Sequence, residues 1–84
     1  HRFTGRFVLQ TGEDELPIRF YAEGGQLYAQ AAEQSPNRLM YQGDGVFIPD
    51  FSNDVRIVFE GEGERAPRVT LHQGGGVYRG ERVD

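Results

Sequence analysis

Ile18-Arg19-Phe20-Tyr21-Ala22-Glu23-Gly24-Gly25-Gln26-Leu27-Tyr28-Ala29 decides the fold class. Ile18 and Phe20 alternate with Arg19 and Tyr21, the period of a half-buried strand. Gly24-Gly25 then supplies two residues that take positive φ without a Cβ penalty, as a two-residue hairpin turn requires. With that turn, Glu23 pairs with Gln26 and Tyr21 faces Tyr28. Phe20 then shares a face with Leu27, Ala29 and Ala31. Turn geometry and apolar pattern select the same register, and a one-residue slip would send every apolar side chain to the wrong face.

Outward from this hairpin, the chain continues as short apolar runs cut by Gly, Pro, Asn and Asp at strand-and-turn spacing. Strands are predicted over 4–10, 16–22, 38–42, 46–48, 55–60, 68–73 and 77–83, besides the strand that starts at Gln26. Ala29–Gln34 has helix-compatible residues, but it is too short to be a helix alone and Pro36 stops it. A second glycine turn, Gly74-Gly75, would place Tyr78 opposite Leu71 and Gly80 opposite Val69. The expected fold is all-β: a small antiparallel eight-stranded lipocalin-like β-barrel or half-barrel, spanning 1–84 as one domain.

The chain has 84 residues, net charge −4, no cysteine and no tryptophan. All nine basic residues are arginine, and they are scattered among acids, so no basic stripe for nucleic acid forms. No apolar stretch has the length of a membrane-spanning helix. A domain this small has a thin core and no disulfide staples, so it must hold by packing alone or with support from a neighbouring domain. The chain begins with His1 rather than Met, which reads as an excised or processed piece of a larger protein.

Several segments together are similar to a known pattern. They are Phe3-Thr4-Gly5-Arg6-Phe7, Gly24-Gly25-Gln26-Leu27-Tyr28-Ala29, Val55-Arg56-Ile57-Val58-Phe59, Val69-Thr70-Leu71-His72-Gln73-Gly74 and Gly80-Glu81-Arg82-Val83. In this order they resemble the small C-terminal β domain appended to β-lactamase-like serine hydrolases, a group that includes penicillin-binding-protein-like and D-aminopeptidase-like enzymes. The resemblance covers nearly the whole chain. It departs at Gly80, where alanine is expected, and in the Glu-rich loop 61–64, where the family has an Asp-x-x-Gly-like turn. It implies a non-catalytic accessory domain, a catalytic serine-hydrolase domain of the same chain or an oligomer partner as the docking surface, and a periplasmic or extracellular setting.

The residues themselves bring little chemistry together. The host enzymes' Ser-x-x-Lys signature needs a lysine, and this chain has none. Ser35 precedes Pro36 as a turn residue, Ser52 sits in a polar loop, and neither lies in Gly-x-Ser-x-Gly. His72 falls on the outward face of its strand without a visible nucleophile or companion ligands. Asp50–Asp54 has alternating oxygen side chains, but Val55 stands where a calcium loop needs glycine and Gly61 where it needs glutamate. Glu60, Glu62 and Glu64 alternate with glycines in what reads as a solvated loop, and Gly74–Gly76 lacks the helix and Lys-Ser/Thr of a phosphate loop. No metal and no cofactor is expected.

Aromatic and arginine side chains remain. Arg19, Tyr21, Tyr28 and Arg56 fall on neighbouring outward positions, a composition common at interfaces, although ordinary cross-strand packing is the reading favoured. Tyr41, Phe47, Phe59 and Tyr78 point inward and read as core ahead of the wall of a ligand site. An eight-stranded barrel is just wide enough to be filled by its own side chains or to hold one small ligand. Binding of a small apolar ligand inside the barrel is therefore the alternative to the accessory role.

Overall fold

The computed structural model describes residues 2–84; His1 lies outside the described residues. Eight strands follow one another: β1 (Gly5–Thr11), β2 (Asp14–Glu23), β3 (Gln26–Ala31), β4 (Asn37–Gly43), β5 (Val46–Pro49), β6 (Val55–Glu60), β7 (Arg68–Gln73) and β8 (Gly76–Arg82). Each pairs antiparallel with the next, and β8 returns to β1, so the sheet is a closed barrel rather than a half-barrel. Closure removes the free edges that an open sheet would expose. Among the described residues there is no helix long and apolar enough to cross a membrane.

The two glycine hairpins hold the expected registers. Glu23 pairs with Gln26, Tyr21 with Tyr28 and Phe20 with Ala29. Gly24 and Gly25 both have positive φ, 60° and 81°. In the second hairpin Leu71 faces Tyr78 and Val69 faces Gly80. The Ala29–Gln34 segment continues β3 to Ala31 and then turns.

The interior is apolar and graded from aromatic to aliphatic. Phe7 packs edge to face on Phe20 and Phe59, with centroids 5.6 Å and 5.9 Å apart, and Phe20 meets Phe59 at 4.8 Å. Phe3, ahead of β1, lies tilted on Phe59 at 4.9 Å and edge to face with Phe47 at 5.3 Å, and so plugs part of one end of the barrel. Toward the other end the inward residues are Leu9, Ile18, Ala29, Val55 and Ile57. Gly80 is buried between Leu9 and Val69; a Cβ there would sit 2.7 Å from Leu9 Cδ2 and 3.0 Å from the Val8 carbonyl oxygen. The alanine expected from the resemblance would crowd this point of closure.

The plugged end is tied by Arg82. Its Nε donates to the Ala66 carbonyl at 2.8 Å, and its terminal nitrogens donate to Thr4 O at 2.7 Å and Arg2 O at 3.2 Å. The guanidinium lies 4.7 Å from the centroid of the Phe7 ring. Ala66 is fully buried and its N–H donates to Arg2 O at 3.0 Å. The 61–66 segment is therefore only partly the solvated loop expected: Glu62 and Glu64 are exposed, but Arg2 holds the Gly61 and Gly63 carbonyls and Ala66 is packed inside. Asp84 completes the tie, 3.2 Å from both Arg82 and Arg65.

Arg82→Ala should destabilise the barrel by about 2–4 kcal/mol, because its carbonyl partners lose a charged donor while remaining part-buried. Urea denaturation followed by circular dichroism measures this, and Arg82→Lys should recover only part, since an ammonium cannot span three divergent carbonyls. Burial pushes the Asp84 carboxyl up, but the Arg82 hydrogen bond, the Arg6 backbone N–H and the charges of Arg65 and Arg82 outweigh it and hold it below its ordinary value. Its stabilising contribution is present above the unfolded carboxyl pKa of about 3.9 and is lost as pH falls through the lower folded value. Urea midpoints measured across the acid range should show a slope that shrinks in Asp84→Asn.

Candidate functional site

Two regions stand out: a band on the outer wall of β1–β4 and a cup inside the open end of the barrel. The outer band follows from strand parity. In β2 the inward Ile18 and Phe20 leave Arg19 and Tyr21 outside; in β3 the inward Leu27 and Ala29 leave Tyr28 and Gln30 outside. Tyr21 and Tyr28 are direct cross-strand partners, stacked at 5.4 Å with 14° between ring planes. Arg19 lies 4.5 Å over the Tyr21 ring and reaches Gln30 Oε1 at 3.4 Å. Guanidinium and ring thus hold each other in place before any partner arrives.

Arg6 joins this band, although the sequence reading did not single it out. It sits directly across β1–β2 from Arg19, and neither arginine makes an ion pair among the described residues. Like charges directly opposite on a sheet repel. They flank a shallow hollow of about 210 Å³, lined also by Val8, Pro17, Gln30 and Val83. The signal was available: a hairpin closing on Thr11 and Asp14 puts Arg6 opposite Arg19 by counting.

Arg56 does not belong to the band. It is outward and exposed as expected, but it lies on β6, with β4 and β5 between it and Tyr28. The neighbour of Tyr28 on β4 is Arg38, which pairs with Asp50 at 3.5 Å. Arg56 faces His72 across β6–β7 instead.

The four aromatics assigned inward divide. Phe47 and Phe59 are buried in the core. Tyr78 is half-buried opposite Leu71. Tyr41 is 58% exposed, a correction to the inward assignment. Although it shares parity with buried Leu39, β4 has run past the barrel wall there, and a bulge between Tyr41 and Gly43 follows. Its ring rests on Phe47 at 4.9 Å, and its hydroxyl accepts from the Gly45 N–H at 3.3 Å. Tyr41, Phe47, Phe3, Leu27 and Leu39 line an open cleft of about 600 Å³ between the β2–β3 and β4–β5 hairpins.

The cup at the opposite end is about 330 Å³ and is lined by Leu9, Leu16, Ile18, Ala29, Ile57 and Leu71 among others, with Gln34, Asn37, Phe51 and Gln73 around it. None of the four aromatics assigned to a ligand wall lines it. Alternation along the strands marks these aliphatics as inward, but only the closed barrel shows that they leave a space.

Elsewhere the polar motifs serve the backbone. Ser52 Oγ accepts from the Asp54 N–H at 3.0 Å, as in a local turn. Among the described residues no group of His, Asp and Glu side chains is placed to hold a metal ion.

No family model, curated protein or solved structure matches the chain.

The stacked tyrosines are expected to couple. A double-mutant cycle of Tyr21→Ala and Tyr28→Ala, read by urea denaturation, should give an interaction of about 0.5–1.5 kcal/mol. A coupling within error of zero would mean that the rings contribute only as independent surface groups.

Proposed function

We propose that this chain is a non-catalytic accessory barrel that packs on a catalytic domain and shapes access to it and its stability. The observation that carries the reading is the outer band: two stacked tyrosines, one guanidinium held over the Tyr21 ring, and Arg6 beside it without an acidic partner among the described residues. Tyrosine and arginine are the residues that most often anchor interfaces, and a pre-ordered pair loses little entropy on docking. The arginines call for carboxylates on the surface that covers them.

The segments resembling the β domain of β-lactamase-like serine hydrolases give the proposed neighbour its class. On the same ground we propose a periplasmic or extracellular setting. A second copy of this chain is the other occupant that the band would accept, since the protein is acidic overall.

The test compares the gene product carrying the barrel with versions lacking it or carrying Arg19→Ala plus Tyr28→Ala. Deletion should change turnover, substrate range, melting temperature or oligomeric state. The double substitution should reproduce part of that change, weakening the contact by about 2 kcal/mol or more, roughly thirtyfold in affinity. Identical behaviour of all three proteins would reject the accessory role.

A further inference from the structure

We propose that the open end of the barrel binds an amphiphile with a cationic head and an apolar body, independently of the outer band. The cup supplies the site. Its volume of about 330 Å³ takes roughly ten non-hydrogen atoms at about 30 Å³ per water-sized group. Its walls are aliphatic, and the polar side chains that line it, Gln34, Asn37 and Gln73, are neutral. A charged group placed deep inside would lose hydration without a counter-charge, so the head belongs at the mouth.

The mouth selects the sign of that head. The turns that ring it carry Glu13, Asp14, Glu33, Asp50 and Asp54, all exposed. Two cations lie near them: Arg38, engaged with Asp50 at 3.5 Å, and Arg56, on the outer face of β6 and pointing away from the barrel interior. Acids stand on three of the four turns around the opening, the Gly74-Gly75 turn carrying none. An excess of one sign around a low-dielectric wall focuses its field into the opening. A carboxylate head would meet repulsion there, and an ammonium head attraction.

Phe51 adds a second contact. It is 62% exposed on the β5–β6 turn, yet it lines the cup. A large aromatic at the lip is placed to cover an apolar body or to present its face to an ammonium group. The 600 Å³ cleft at the plugged end also has acids beside it, Glu23 and Asp44, but it lies open between two hairpins with Phe3 at its base rather than inside the barrel.

The experiment titrates ¹⁵N-labelled protein at low ionic strength with three probes of equal chain length: octylammonium, 1-octanol and octanoate. Octylammonium should shift the amides of Ile18, Ala29, Ile57 and Leu71 saturably. It should bind at least about tenfold tighter than octanoate, with 1-octanol between, and the gap should narrow as salt rises. Ala31→Phe should fill the cup and abolish the shifts. Should that variant not fold, Phe51→Ser and Asp54→Asn, both on an exposed turn, should each weaken octylammonium several-fold while leaving the urea midpoint unchanged. Absence of saturable shifts, octanoate binding as tightly as octylammonium, shifts confined to Phe3, Met40 and Tyr41, or unaltered affinity in the turn variants would each overturn the proposal.

Discussion

The barrel depends on one arginine. β1 and β8 share only three register pairs, Phe7–Arg82, Val8–Glu81 and Leu9–Gly80, and this is the seam where chain ends meet. Arg82 reinforces it by gathering carbonyls from Arg2, Thr4 and Ala66 around one planar cation. A charge this little exposed is tolerable only because each direction of its fork finds an acceptor and Phe7 lies under its face. Gly5 makes the arrangement possible: a Cβ there would overlap the Arg82 guanidinium. The glycine of the opening motif and the arginine of the closing motif are two halves of one fastening.

That fastening makes the two ends unlike. Phe3, the 61–67 loop and the Arg82–Asp84 pair occupy one end, so the aromatic half of the core is covered there except at the cleft between the β2–β3 and β4–β5 hairpins. At the other end the strands are joined by short turns, and nothing among the described residues crosses the opening. Acids do not follow this division: Glu23, Asp44, Glu62, Glu64 and Asp84 lie at the plugged end, and Glu13, Asp14, Glu33, Asp50 and Asp54 at the other. What differs is the arginines: Arg2, Arg65 and Arg82 are engaged by carbonyls and Asp84 at the plugged end.

Much of the fold was legible because two Gly-Gly turns each carry alternating strands on both sides. Turn type and apolar parity then specify the register without any other information, and Tyr21–Tyr28 and Leu71–Tyr78 follow by counting. Parity names the face of a strand, but not its position around the barrel. Arg56 was therefore placed outward correctly and beside Tyr28 wrongly, since β4 and β5 intervene. Nor does parity tell where the wall ends, so Tyr41 keeps an inward phase while standing at an exposed rim. The role of Arg82 was illegible for a different reason. Its acceptors Arg2 and Thr4 lie 80 and 78 residues away in the chain, and no local pattern marks a charge that the closed fold will enclose.

The β2–β3 hairpin is common to both candidate regions. Arg19, Tyr21 and Tyr28 form the outer band, while Ile18, Ala29 and Ala31 line the cup from the same strands. The pleat puts these sets back to back, one residue apart, and the Gly24-Gly25 turn sets the phase of both. The small inward residues matter as much as the large outward ones. Ala31 stands opposite Ile18 and Ala29 opposite Phe20, so alanine on β3 leaves room beside a bulky partner on β2. Had β3 carried branched side chains there, the barrel would have filled itself. The same two strands therefore build a rigid outer contact face and keep an inner space open, and neither feature requires the other to change shape.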